Sequence, residues 1–147
     1  MEVKKLVPHQ VSDFTDLVEI MKEVFENHEP TPDQAYLGNL LARPDFMVFV
    51  VKLGGKVVGG LTAYVLHGYY STQPTAYIYD VGIAPDFQGQ GLGKALMSEV
   101  CAYCQANRFG EAYVEAESED LDAVRFYRKT NSSYEMNAVH FTYTFGE

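Results

Sequence analysis

Basic residues, cysteine and long apolar runs are all scarce in this sequence. Eleven Lys and Arg stand against twenty Asp and Glu, which gives a formal net charge of −9 at pH 7. An acidic surface repels phosphate backbones and anionic lipids, so we expect a small cationic partner and neither nucleic acid nor membrane. No apolar run approaches the ~20 residues that span a bilayer, and no apolar signal-peptide core follows Met1-Glu2-Val3-Lys4-Lys5. These absences predict a cytoplasmic protein.

The two cysteines, Cys101 and Cys104, lie within a helical pattern. One interpretation is a redox pair or half of a zinc site, and the other is two small apolar residues on a buried helix face. Reactive pairs usually lie at a helix N-terminus, where the dipole lowers the thiol pKa, and no second Cys or His pair is present to complete a zinc site. We therefore favour packing and predict no metal site. The histidines are scattered without metal-ligand spacing: His9, His28, His67 and His140.

Length and composition favour one domain over the whole chain, residues 1–147. Hydrophobic residues make up 47% of the sequence, enough to form a core, and no linker or repeat divides it. Apolar periodicity predicts helices at 12–26, 33–43, 92–107 and 119–129. It predicts strands at 46–53, 56–66, 75–83 and 111–117, and a final strand pair within 134–145. This order is typical of a mixed α/β domain with a largely antiparallel sheet.

A glycine-rich turn, Gln88-Gly89-Gln90-Gly91-Leu92-Gly93, lies directly between a predicted strand and a predicted helix. Glycines allow a close approach of backbone to a ligand, and the helix that follows offers free N–H groups and a positive dipole end to an anion. Lys94 adds a cation to the first helical turn. The alternative is a tight connection in which the glycines serve only the turn. The turn is neither a P-loop nor a dinucleotide fingerprint, because the Gly-Lys-Ser/Thr ending and the βαβ unit are missing.

Gln88, Gly91 and Gly93, preceded by the strand Val81-Gly82-Ile83-Ala84-Pro85, resemble the acetyl-CoA signature of the GNAT N-acetyltransferases. The resemblance implies the GNAT fold, with a central, mostly antiparallel twisted sheet of about six or seven strands and about four flanking helices. It also implies that the turn wraps the pyrophosphate of acetyl-CoA, and that the preceding strand splays from the next one to admit the pantetheine arm. The cofactor-binding residues that it implies are Val81, Gly82, Ile83, Gln88, Gly89, Gln90, Gly91, Leu92, Gly93, Lys94, Asp120 and Tyr127.

A second family element follows at the expected separation. The segment from Asp120 to Tyr127 resembles the family's Asn-x-x-Ala-x-x-Phe-Tyr helix, with Ala123, Phe126 and Tyr127 matching and Asp120 in place of Asn. The family often continues with Lys-x-Gly-Phe, whereas this chain has Lys129-Thr130-Asn131-Ser132, so we expect the next loop to differ.

Three short strings resemble one group within the family more closely: Tyr36-Leu37-Gly38-Asn39-Leu40-Leu41, Ala63-Tyr64-Val65-Leu66 and Tyr77-Ile78-Tyr79-Asp80. That group is the class I aminoglycoside 3-N-acetyltransferases, which acetylate the 3-amino group of gentamicin-type antibiotics. The resemblance implies a polycationic acceptor, a role in antibiotic resistance and, since the family often dimerises, a homodimer. The alternatives are an acetyltransferase for a polyamine or another small amine, and a non-catalytic acyl-CoA-binding module.

Amine acetylation requires a base, because an aliphatic ammonium with a pKa of about 10 arrives protonated. Asp80 is the only acidic residue in its predicted strand, where propensity disfavours Asp, and we interpret it as the base. The alternative is an edge or bulge position where Asp80 simply reaches water. Tyr127 is the candidate acid for the departing thiolate, and the resemblance implies that the Val81 N–H stabilises the oxyanion. No Ser or Cys in the proposed cleft has a base beside it, so the sequence does not indicate a covalent acetyl-enzyme. We therefore expect direct transfer in a ternary complex.

A block of acidic residues runs from Glu111 to Asp122. On a strand, Glu115, Glu117 and Glu119 share one face by period two and are predicted to bind the acceptor's ammonium groups. We favour Glu117 as a substrate contact and possible second base. The alternative is a solvated strand end followed by an acid-rich first helical turn. Tyr36 is a weaker candidate for the rim of the acceptor pocket.

Overall fold

Five strands and four α-helices are present in residues 1–146, the part of the chain that the computed structural model describes. In chain order they are β1 (Glu2–Lys5), α1 (Val11–Val24), α2 (Gln34–Leu41), β2 (Phe46–Leu53), β3 (Lys56–Leu66), β4 (Thr75–Ile83), α3 (Leu92–Ala106), β5 (Glu111–Val114) and α4 (Leu121–Arg128). A single 3-10 turn, Pro85–Phe87, follows β4. The chain divides into two compact units, and the boundary between them lies between Ala116 and Glu117.

All five strands form one sheet in the order β1-β2-β3-β4-β5. The pairs β1–β2, β2–β3 and β3–β4 are antiparallel, and β5 is parallel to β4. The mixed α/β class and the largely antiparallel sheet are therefore confirmed. The bounds predicted for the three central strands match the observed ones. Gly54 and Gly55 close the β2–β3 hairpin with φ values of +57° and +78°, which is the backbone twist that a two-residue hairpin needs.

Helices cover both faces of the sheet. On one face α1 and α2 pack on alternate residues of β2, and on the other face the Phe49 ring meets Tyr103 of α3 at 5.7 Å between centroids. The six residues from Phe46 to Val51 are all buried, as expected for a central strand covered on both sides. The core layer on the α1 and α2 face consists of Leu6, Phe14, Leu17, Leu37, Leu41, Phe46, Val48, Val50 and Val57.

Two glycines in β3 lie where a side chain has no room, and Gly60 is the one that faces α1. A Cβ at Gly60 would lie 2.8 Å from Cδ1 of Leu17, a distance that side-chain carbons do not reach without displacement. A Cβ at Gly59 would lie 2.7 Å from the backbone oxygen of Gly82 on β4. Burial of Leu17, which is 0% exposed, therefore depends on the absence of a side chain at Gly60.

Two expectations about the sheet are wrong. The strand predicted over 111–117 ends at Val114. Residues 134–145 form no strand, and without this final pair the sheet has five strands rather than six or seven. Alternation of apolar and polar residues favours a strand only where a neighbouring strand completes the hydrogen-bond ladder. The large apolar side chains of the final segment are exposed: Tyr134, Met136, Val139, Phe141, Tyr143 and Phe145. The charged strand β1, which lacks a clear apolar pattern, was not predicted.

We expect Gly60→Ala to lower the free energy of unfolding by about 1–3 kcal/mol, because its Cβ would clash with the backbone oxygen of Phe49 and displace Leu17. Urea denaturation measures this change. The matched control is Gly68→Ala, since a Cβ at Gly68 meets nothing within 4 Å, and we expect its effect to stay within about 0.5 kcal/mol. Equal stability of the two variants would show that α1 does not depend on the glycine.

Candidate active site

A β-bulge in β4 lies next to Asp80. Thr62 of β3 pairs with Asp80, but the next residue, Ala63, pairs with Ile78, so Tyr79 is an extra residue in β4. Bulges of this kind redirect side chains and are common beside functional sites. A bulge position, one of the alternatives for Asp80 in the sequence analysis, is therefore present.

Asp80 is half-buried in this position rather than simply solvated. Burial raises the pKa of its carboxyl group above the ordinary value, because loss of water disfavours the charged form. Within residues 1–146 its carboxylate takes part in no hydrogen bond or ion pair. Gly82, two residues further on, faces Met21 of α1, so Asp80 lies on the α1 and α2 side of the sheet.

Tyrosine rings surround the bulge. Tyr64 of β3 meets Tyr79 edge-on at 5.7 Å, and Tyr79 meets Tyr77 edge-on at 5.9 Å between ring centroids. The pKa of Tyr64 is raised, first by burial and then by neighbours that include Tyr79, Tyr36 and Asp80. The bulge thus places one carboxylate close to a cluster of phenol rings.

A cavity of about 450 Å³ opens between α2 and this tyrosine cluster. It is lined by Tyr36, Asn39, Leu40, Arg43, Asp45 and Tyr64. Tyr36 lines this cavity, and its role at the rim of an acceptor pocket stays a prediction. Asp45, a carboxylate in the cavity wall, was not predicted. Its only sequence signal is its position between Pro44 and the buried strand β2.

Glu115 is held by a tyrosine from the neighbouring strand. The hydroxyl of Tyr77 donates a hydrogen bond to Oε1 of Glu115 at 2.9 Å, and the Tyr77 ring stacks on Tyr113 at 4.7 Å with 12° between the planes. Burial and this carboxylate raise the pKa of Tyr77 to about 12. Tyr77 was not singled out from the sequence, because a strand tyrosine reveals its partner only through the register of β4 on β5.

The shared strand face predicted for Glu115, Glu117 and Glu119 is wrong. Strand β5 ends at Val114, and the chain then turns, with the N–H of Asp120 bonded to the Glu117 carbonyl. All three glutamates are exposed, but period-two alternation does not apply beyond the end of a strand. Glu117 and Glu119 belong to the second unit.

The glycine-rich turn has the predicted context between β4 and α3. Gly89 and Gly91 have φ values of +77° and +81°, a region in which an L side chain is strained. Gly91 is the N-cap residue of α3 and provides no side-chain cap, so the first N–H groups of the helix remain available to an anion. Lys94 is exposed beside them and Leu92 is buried, which leaves only the backbone of Leu92 for a ligand.

Side chains and packing fix the end of β4 that leads into this turn. Nε2 of Gln88 donates to the carbonyl of Ile83 at 2.9 Å. A Cβ at Gly82 would lie 2.7 Å from the sulfur of Met21. The β4–β5 pairing stops at Ile78 and Val114, so the residues from Tyr79 to Ile83 continue without β5 beside them. This leaves a gap of the kind that the family resemblance implies.

In the second unit, Asp120 is the N-cap residue of α4. Its carboxylate accepts a hydrogen bond from the Ala123 N–H at 3.1 Å, as the alternative of an acidic first helical turn predicts. Tyr127 is half-buried on the same helix, with its ring 5.0 Å from that of Phe126. The roles of Asp120 and Tyr127 toward a cofactor stay predictions.

The cysteines have no reactive environment. Cys104 is buried on α3 with its pKa raised to about 11, which leaves it a neutral thiol. Cys101 is exposed, so the expectation that both lie on a buried face is wrong for this residue. No group of three or more His, Cys, Asp or Glu in residues 1–146 is arranged to hold a metal ion. None of the described helices is long and apolar enough to cross a membrane.

Asp80 thus lies near the Tyr64 ring of the cavity wall, and its strand leads into a turn whose backbone N–H groups have no side-chain cap. The model of the acetyltransferase (GNAT) family matches residues 14–131, and the chain belongs to this family. This is a family of acetyltransferases, and the fold implied by the sequence resemblance is confirmed, apart from the number of strands.

The chain is similar along nearly its whole length to a solved aminoglycoside acetyltransferase, meta-AAC0020, from an uncultured soil metagenomic sample. The two share 38% identity with a TM-score of 0.96, over 99% of this chain and 96% of the other. That enzyme has been solved in complex with trehalose and in complex with sisomicin.

Two curated relatives match over a smaller part of their length. Mycothiol acetyltransferase from Pseudarthrobacter chlorophenolicus is 29% identical over 109 residues, 69% of this chain and 34% of that protein. N-alpha-acetyltransferase RimI from Mycobacterium tuberculosis is 28% identical over 111 residues, 75% of this chain and 66% of that protein. The chain therefore spans about a third of the first relative and just under two thirds of the second.

We expect Glu115→Gln to lower the pKa of Tyr77 from about 12, because the phenolate no longer faces an anionic carboxylate. Burial remains, so the pKa should stay above that of an exposed tyrosine. NMR titration of ring-labelled tyrosine measures it. Glu111→Gln, on the same strand, is the matched control and should leave Tyr77 unchanged. An unaltered Tyr77 pKa in Glu115→Gln would contradict the hydrogen bond.

Proposed function

We propose that the protein transfers an acetyl group from acetyl-CoA to an amino group of an aminoglycoside, by direct transfer in a ternary complex. The observation that carries this proposal is the half-buried carboxylate of Asp80, which has no hydrogen bond or ion pair in residues 1–146 and lies close to the tyrosine-lined cavity. A protein that only bound acyl-CoA would not need this carboxylate. The 38% identity to an aminoglycoside acetyltransferase supports the acceptor class.

The proposed chemistry assigns Asp80 as the base. Its carboxylate accepts a proton from the acceptor ammonium, and the neutral amine then attacks the thioester carbonyl. A C–N bond forms, the C–S bond breaks, and the thiolate of CoA takes a proton from Tyr127. The second N–H proton that the attacking amine loses then restores the phenol of Tyr127. A carboxylate whose pKa is raised by burial is a stronger base than an exposed one, which favours proton transfer. The Val81 N–H is proposed to stabilise the oxyanion, in the part of β4 that has no β5 beside it.

The cofactor site is proposed along the end of β4 and the turn that follows it. Backbone N–H groups of the turn and of the uncapped start of α3 would bind the pyrophosphate of acetyl-CoA, with Lys94 adding positive charge. Val81, Gly82 and Ile83 would contact the pantetheine arm through their backbone. Asp120 and Tyr127 are also proposed to contact the cofactor, because the segment that they bound resembles the second family element.

The acceptor site is proposed in the cavity between α2 and the tyrosine cluster. Tyrosine faces offer apolar surface to a sugar ring, and Asp80 attracts its ammonium groups. Glu115, positioned by Tyr77, and the exposed Glu117 and Glu119 are proposed further contacts, and Glu117 remains the second candidate base. The net charge of −9 favours the approach of a polycation.

Several finer proposals accompany this function. The 3-amino group of gentamicin-type drugs is the proposed acceptor amine, and antibiotic resistance is the proposed role. The single domain over residues 1–147, the cytoplasmic location and the homodimer stay predictions. The exposed aromatic side chains of the final segment offer apolar surface for a dimer contact.

Acetyl-CoA turnover against a gentamicin-type drug, a kanamycin-type drug and spermidine tests the proposal. We expect the highest kcat/KM with the gentamicin-type drug, and mass spectrometry and NMR of the product identify the acetylated amine. Preference for spermidine would favour the polyamine alternative. Binding of acetyl-CoA without turnover of any amine would favour the non-catalytic module.

We expect Asp80→Asn to lower kcat by about 10²–10⁴-fold at neutral pH, the usual contribution of a positioned base. The KM for acetyl-CoA should barely change, since the proposed contacts of β4 with the cofactor are through the backbone. Raising the pH should partly restore kcat, because more of the amine is then neutral without assistance.

Glu99→Gln, an exposed acid on α3, is the matched control for removal of one negative charge. It should keep the kcat and pH profile of the unmodified enzyme. Near-normal kcat of Asp80→Asn at pH 7 would show that the base lies elsewhere, and Glu117→Gln would be tested next.

A further inference from the structure

An ion pair lies in the wall of the acceptor cavity. Arg43 and Asp45 both line the cavity of about 450 Å³. Nε of Arg43 donates to Oδ1 of Asp45 and Nη2 donates to Oδ2, each at 3.0 Å. The guanidinium therefore engages both carboxylate oxygens. Asp45 is the only carboxylate among the lining residues, and Arg43 is the only cation.

This pair is exposed and local. Its side chains are 60% and 42% exposed, and the two residues are separated only by Pro44. Ion pairs in such positions contribute little to folding stability, because water competes for both charges. A carboxylate also has about four lone-pair sites, of which a bidentate guanidinium uses two. An incoming ammonium can therefore share Asp45 with Arg43 or replace it at little cost to the fold.

Asp45 lines the cavity, and Asp80, which is not one of the lining residues, lies near the Tyr64 ring of the cavity wall. The Tyr64 ring packs at a tilt against Phe46 at 5.2 Å between centroids, and Phe46 directly follows Asp45 in the chain. Thr62, which belongs to the same strand as Tyr64, pairs with Asp80 of β4. Both carboxylates act electrostatically on the Tyr64 phenol. A rigid acceptor with several ammonium groups can thus present one to each carboxylate.

We propose that Asp45 binds a second ammonium group of the acceptor, and that Arg43 is an internal cation with which the acceptor competes for this carboxylate. This inference rests on the proposed function and deepens it. It gives the site a preference for acceptors with two or more ammonium groups, since a monoamine held at Asp80 has no second charge to exchange for Arg43.

The two partners of the pair then have opposite effects on the acceptor. Asp45→Asn removes the proposed anionic contact, so the KM for a gentamicin-type drug should rise about tenfold or more. Arg43→Gln removes the competing cation, so the same KM should fall several-fold. The double variant should resemble Asp45→Asn, because without the carboxylate there is nothing to compete for. In all three variants kcat and the KM for acetyl-CoA should stay close to those of the unmodified enzyme.

A matched ion pair provides the control. Arg128 donates to both carboxylate oxygens of Glu135 at 3.0 and 2.9 Å, with side chains 61% and 63% exposed. Arg128→Gln and Glu135→Gln carry the same charge changes without a cavity role, and neither should alter the KM for the drug.

The outcomes separate this inference from the proposed function. A KM that rises in both Asp45→Asn and Arg43→Gln, or that is unchanged in both, would overturn the competition while leaving aminoglycoside acetylation intact. Equal shifts in the matched control pair would show an effect of net charge alone and would also overturn it. If the unmodified enzyme acetylates no aminoglycoside, the proposed function fails and this inference fails with it.

Discussion

The register between β3 and β4 is the constraint on which the rest of the site depends. Because Tyr79 is an extra residue in β4, Asp80 pairs with Thr62 while Ile78 pairs with Ala63. The side of the sheet that carries Asp80 also faces α1 and α2, where the cavity lies. Without the bulge, every residue on one side of Tyr79 would face the opposite side of the sheet. Asp80 and Tyr77 could then not both keep their present positions.

Burial then determines the electrostatic character of this region. Loss of contact with water is the main reason why the pKa of both Asp80 and Tyr64 is raised. A carboxylate in apolar surroundings accepts a proton more readily, which suits a base. Asp45 differs, because Arg43 lowers its pKa through a direct hydrogen bond. Two carboxylates close to one tyrosine thus have opposite shifts, as expected if one accepts protons and the other remains charged.

Much of the fold and part of the candidate site could be predicted from local sequence. The bounds of the three central strands and the turn before α3 followed from apolar runs, paired glycines and the family motif. Asp80 stood out because it is the only acid among apolar strand residues. Tyr77, Tyr64 and Asp45 did not stand out, since their importance comes from neighbours in other strands. The predicted face of Glu115, Glu117 and Glu119 was wrong because the strand ends after four residues, at Val114.

The sequence by itself determined the class of fold, the positions of the main elements, the glycine turn and the acidic balance. These depend on residue type and on spacing along one segment, which short-range sterics and burial control. Tertiary structure alone decided the bulge, the hydrogen bond between Tyr77 and Glu115, and the cavity that brings Asp45 close to Tyr64. Each of these features joins residues that are far apart in the chain. Strand register decides which of those residues become neighbours, and it is fixed only when the whole sheet packs against its helices.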